Sequence, residues 1–119
     1  MDNPLYSKSK CLALDVIRLS KFLNDNCREY TIANQILKSG TSVGANIREA
    51  KRPQSDADYI SKLSIALKEA EETQYWLELL SESGYIEKSV FEKLYSQTEE
   101  IIKMLVSIIR NKKKSIQIS

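Results

Sequence analysis

The 119-residue chain is 42% hydrophobic and 29% charged, with 3 Gly, 2 Pro and a formal net charge of +2. That balance excludes a disordered or collagen-like chain, and the length is that of one domain, taken as residues 1–119. His is absent, which removes the usual general base and the commonest metal ligand. Two Cys supply neither a disulfide framework nor a zinc site.

The N-terminal residues lack the apolar core and small-residue cleavage site of a signal peptide. No apolar run approaches the ~20 residues that span a bilayer. Cys11 and Cys27 stand 16 positions apart in one expected helix. That spacing separates them by roughly 24 Å along the axis, too far to bridge. The expectation is a cytoplasmic protein whose thiols are reduced and packed as small apolar groups.

Helix one is predicted over about 5–25, where Leu12, Val16, Leu19 and Leu23 recur at helical spacing. The polar run from Asn24 to Thr31 ends it. Helix two is predicted over about 31–51, on Ile32, Ile36, Val43 and Ile47. It contains Gly40 and Gly44, each costing a helix about 0.8–1.0 kcal/mol relative to Ala. With Ser39 and Ala45 they form a patch of small side chains. Gly40, Gly44 and Ala45 are therefore expected to let a neighbouring helix approach closely. A phosphate-cradling loop would need GxxxxGK[ST] after a strand, and this stretch has neither the Lys nor the strand.

Pro53 stops helix two, and Ser55 is placed as the N-cap of helix three, predicted over about 56–83. Its stripe is Tyr59, Leu63, Ala66, Ala70, Leu77 and Leu80. Asp56 and Asp58 suit the first turn of a helix, and the rest of an EF-hand is missing, so no metal site is assigned. Gly84 fits the position just past the helix end. Helix four is predicted over about 87–111 on Phe91, Leu94, Thr98, Ile101, Leu105 and Ile108, followed by a basic tail over 112–119. Short connections between long helices make antiparallel neighbours. The predicted fold is all-α, an antiparallel up-down-up-down four-helix bundle.

Helices three and four hold more apolar residues than one core stripe uses. The surplus comprises Ile60, Ile65, Leu67, Tyr75 and Trp76 on one, and Val90, Tyr95, Ile102, Met104, Val106 and Ile109 on the other. Exposed apolar surface of that size marks an interface, so self-association is expected, with Trp76 and Ile102 in the contact; the alternative is a slightly wider core stripe with scattered surface apolars.

Charge is sorted along the chain. Residues 1–30 carry +1, 31–54 carry +3, 55–84 carry −5 and 85–119 carry +3. Helix three is thus an acidic rod. The basic groups gather as Arg48, Lys51 and Arg52, and as Arg110, Lys112, Lys113 and Lys114. Cations at helix C-termini complement the dipole, which is the structural account of both clusters. The functional account is contact with a phosphate backbone. No helix-turn-helix, RNP aromatic pair or zinc module is visible, so binding would lack base specificity. The adjacent pairs Glu71-Glu72 and Glu99-Glu100 point about 100° apart on a helix and do not converge on a substrate. No catalytic site and no cofactor are assigned.

Two long stretches resemble a known family. SGTSVGANIREA, residues 39–50, is similar to the signature of the four-helix-bundle family of 23S ribosomal RNA intervening-sequence proteins. Residues 58–70, continuing through Glu72-Thr73 to Trp76-Leu77-Glu78-Leu79-Leu80, match in order, as do Asn3-Pro4-Leu5 and the last helix. Lys51-Arg52-Pro53-Gln54 departs from the family, which more often has uncharged residues and no Pro there. The resemblance implies a bundle assembling into a ring, similar to the pentameric accessory variability proteins of diversity-generating retroelements. It also implies RNA or DNA binding without catalysis, with ribosomal RNA or a reverse transcriptase as partners. The competing reading is a protein–protein scaffold, in which the acidic and basic faces recognise another protein.

Overall fold

In the computed structural model, which describes residues 3–118, four helices follow one another: α1 (Pro4–Cys27), α2 (Thr31–Glu49), α3 (Asp56–Glu82) and α4 (Lys88–Ile118). No strand occurs among the described residues. Together they form a four-helix bundle measuring 53 × 25 × 21 Å.

Local chemistry sets the helix ends. Asn3 Oδ1 accepts from the Leu5 backbone N–H at 2.9 Å, and Pro4 occupies the first helical position, where a missing N–H costs nothing. Ser55 caps α3 as expected, its hydroxyl accepting from the Asp58 N–H at 3.0 Å. Gly84 takes a positive φ of 84° just past α3, and the Tyr85 N–H returns to the Leu80 carbonyl at 2.9 Å. α1 closes instead on Arg28, at φ 53°, with the Glu29 N–H bonded to the Leu23 carbonyl at 3.0 Å. Glu29 then serves α2, because Oε1 accepts from the N–H groups of Ile32 at 2.6 Å and Ala33 at 3.1 Å.

α2 ends at Glu49, so Lys51 and Arg52 lie in the connection and not on the helix. α4 departs most from expectation. It continues beyond 111 to Ile118, and the segment taken as a tail is helical, with Ser119 outside the described residues. Lys112, Lys113 and Lys114 therefore sit inside a helix, and no basic residue occupies its last turn. The dipole account fits Arg48 in the last turn of α2 but not the second cluster.

The core contains Leu12, Val16, Leu19 and Leu23 from α1, and Ile36, Val43 and Ile47 from α2. α3 adds Leu63, Ala66, Ala70, Leu77 and Leu80, and α4 adds Leu94, Ile101, Leu105 and Ile109. Ile109 is buried where Ile108 was expected, and Ile108, Phe91, Tyr59 and Ile32 are half-buried against the core. Thr73 and Gln74 fill the step between Ala70 and Leu77. The Thr73 hydroxyl bonds Ser39 Oγ at 2.9 Å, joining α2 and α3 through a buried polar contact. Gln74 Nε2 donates to Glu99 Oε2 at 3.2 Å between α3 and α4.

Of the two glycines in α2, Gly40 leaves the less room. A Cβ there would stand 2.8 Å from both methyl carbons of Val16, nearer than side chains approach without displacement. Gly44 is looser, since its Cβ would meet Ser9 Oγ at 3.4 Å in ordinary contact. Ala45 is exposed, bordering the same α1–α2 groove as Gly44. Cys11 is likewise exposed and not a core filler, while Cys27 packs half-buried.

Candidate nucleic-acid interface

Inter-helix pairs place the charges. Between α1 and α4, Lys8 meets Glu100 at 2.9 Å and Lys93 meets Asp15 at 3.7 Å, while Gln97 Nε2 donates to Asp15 Oδ2 at 3.0 Å. Between α2 and α3, Lys62 meets Glu49 at 3.6 Å. Between α3 and α4, Lys112 meets Asp56 at 3.0 Å. The start of α1, the end of α2, the start of α3 and the last third of α4 line one cavity and so share one end of the bundle.

Both predicted basic clusters converge there, though not as a single flat patch. They form a collar. Arg48 lies beside Lys10 along the groove between α1 and α2, next to Gly44 and Ala45. Lys51 and Lys112 line a cavity at the bundle end, to which all four helices contribute. Arg110, Lys113 and Lys114 rim a shallow apolar groove containing Leu67 and Val106 on the α3–α4 side. Arg52 is exposed in the connection between α2 and α3.

The cations differ in how free they are. Among the described residues, Arg48, Lys51, Arg52, Arg110, Lys113 and Lys114 form no ion pair. Lys112 is paired with Asp56 and also sits 5.6 Å from the Tyr59 ring centroid, and Lys51 lies 5.6 Å from that of Tyr6. Exposed ion pairs of this kind contribute about 0–1 kcal/mol, so a phosphate competes for Lys112 at little cost. The acidic groups of α3 lie mostly away from the collar. Among them Glu69 is held above the ordinary carboxylate range by burial, then by the neighbouring Glu72, against the lowering influence of Lys68 and Lys38.

The predicted contact residues Trp76 and Ile102 are half-buried against the bundle's own core, with Trp76 Nε1 donating to Glu72 Oε2 at 3.2 Å. Of the predicted surplus, Ile65, Tyr75, Val90 and Val106 are the exposed members, and α1 adds further apolar surface. Leu14, Ile17 and Phe22 on α1 are 44–47% exposed, and none was singled out from the sequence. They stand off the Leu12–Val16–Leu19–Leu23 stripe, and that offset was the available signal. Phe22 joins Tyr85 and Val90 in a groove of about 450 Å³ between α1 and α4. Among the described residues no group of three or more His, Cys, Asp or Glu is placed to hold a metal, and no helix is long and apolar enough to cross a membrane.

A four-helix bundle with a cationic collar at one end is the class that fold and surface define. The chain belongs to the 23S rRNA-intervening sequence protein family, whose model matches residues 1–107. It is similar to a crystallised protein of unknown function from the S23 ribosomal protein family of Bacteroides thetaiotaomicron. The two share 50% identity over 88% of this chain and 97% of that one, with a TM-score of 0.87. No curated protein matches the chain.

Proposed function

We propose that this protein is a non-catalytic, cytoplasmic oligomer that binds structured RNA or DNA through the collar, without reading base sequence. The observation that carries the proposal is convergence. Two basic clusters about sixty residues apart in the sequence meet at one end of the bundle, and six of their seven cations have no ion-pair partner among the described residues. A net charge of +2 makes one subunit a weak polyanion binder. An antiparallel up-down-up-down bundle repeated in a ring would present several collars together, and avidity would raise affinity without new contacts. The family resemblance suggests five subunits, with ribosomal RNA as the natural partner class.

The test is a binding titration with structured RNA over a salt series. Log affinity should fall linearly with log salt, by roughly 0.7–0.9 per phosphate neutralised. Replacing Arg110, Lys113 and Lys114 by Ala should flatten that slope and weaken all sequences alike. Binding that ignores the triple substitution, or none at about 50 mM salt, would remove the assignment.

A further inference from the structure

The cavity at the collar end differs from the surface around it. It measures about 280 Å³ and is lined by buried Leu5, by the half-buried rings of Tyr6 and Tyr59, and at its mouth by Lys51, Asp56 and Lys112. That is several times the ~30 Å³ share of one water and near the lower bound of small-ligand sites. It is sized for one flat ring system with a charged substituent. Neither tyrosine hydroxyl is bonded to another described residue, which leaves both as donors. Each ring has an ammonium 5.6 Å from its centroid, so aromatic faces and cations are already alternated around the opening.

We propose that this cavity receives a single unstacked nucleotide of a single-stranded or looped segment. The base would lie against Tyr6 and Tyr59, and its phosphate would meet Lys51 and Lys112. The inference rests on the nucleic-acid reading above and narrows it. A polyanion needs only the collar. A cavity with an apolar floor and two aromatic walls is unused by a duplex, whose bases are stacked and paired away from the protein. Unpaired bases do stack on tyrosine, largely irrespective of sequence. Asp56 faces the same opening and is held by Lys112 at 3.0 Å, so a phosphate must replace it as the lysine's partner. This gives the site a signature that a plain basic surface lacks. Removing the Asp56 charge should strengthen binding of a phosphorylated ligand.

The probes are adenosine 5′-monophosphate, ribose 5-phosphate, and a single-stranded and a duplex oligonucleotide, each titrated into the full chain. Chemical shifts at the cavity should respond more tightly to the monophosphate than to ribose 5-phosphate. Tyr59→Leu should weaken single-strand binding about tenfold with an unchanged salt slope, and leave the duplex alone. Tyr59→Phe keeps the ring, should keep the affinity, and separates stacking from a folding defect checked by melting. Asp56→Asn should tighten the monophosphate several-fold. Equal responses to the two small phosphates, or equal single-strand and duplex losses in Tyr59→Leu, would overturn the base pocket while leaving the collar intact. A wild-type chain that binds no nucleic acid at all would overturn both.

Discussion

Gly40 is the residue on which the α1–α2 contact turns. Its missing side chain is occupied by Val16, which is buried and β-branched and has little rotamer freedom to yield. Gly40→Ala should therefore destabilise the fold. Overpacking costs about 1–3 kcal/mol against a helix-propensity gain of about 1 kcal/mol. Pairing it with Val16→Ala should recover part of the loss, a non-additivity measurable by denaturant unfolding of the two single variants and the double. Gly44→Ala should be neutral or stabilising, because its Cβ meets Ser9 only at contact distance. Equal destabilisation by both alanines would refute this ordering. Two small residues one turn apart look alike in sequence, so the glycine patch was legible while its division into one tight and one loose position was not. That depended on Val16 lying opposite one glycine and Ser9 opposite the other. The aromatic companions of the lysines were hidden for a similar reason. Tyr6 and Lys51, like Tyr59 and Lys112, meet only through tertiary packing.

At the level of elements, breaks built from Pro53, Ser55 and Gly84 were legible because each acts on the backbone within a few residues. The stripes of α1 and α2 were legible because a helix repeats its buried face every 3.6 residues. The α1–α2 junction was harder. It has no Gly, and it closes on Arg28 in a left-handed conformation, while a glutamate one residue later caps the next helix. Glu29 supplies the only side-chain acceptor at the start of α2 among the described residues, since Tyr30 makes no capping bond. Glu29→Ala should cost about 1 kcal/mol, the usual scale for a lost cap. Glu29→Gln should lose less, because an amide oxygen still accepts. Thermal melting of both variants measures the difference, and an unchanged melting temperature in Glu29→Ala would show that water satisfies these N–H groups equally well. The end of α4 was misjudged because a run of three lysines resembles a solvated tail. The helix instead continues through them to Ile118, carried past the bundle by good helix formers.

The molecule exposes large apolar side chains that its own core does not cover, and the proposed assembly would use them. Trp76 and Ile102 are partly covered within the bundle, so a charge at either would damage the fold and confuse the outcome. Phe22 and Val106, at 45% and 41% exposure, are the better probes. Phe22 lies in the α1–α4 groove, and Val106 in the α3–α4 groove beneath the basic rim. Two different apolar faces on one subunit suit a head-to-tail contact, which closes into a ring when its rotation allows. Such a contact would be driven by apolar burial and oriented by charge, because exposed ion pairs add only about 0–1 kcal/mol each. Assembly should therefore persist at about 0.5 M salt, where exposed charges are largely screened. Phe22→Glu or Val106→Glu should dissociate the particle without lowering its helix content. Native mass spectrometry or light scattering at micromolar concentration, with circular dichroism on the same samples, reads both quantities. A wild-type particle of 13.6 kDa would eliminate the ring and the avidity that the nucleic-acid reading draws on. A dimer disrupted by only one of the two substitutions would indicate a self-complementary contact through that face alone.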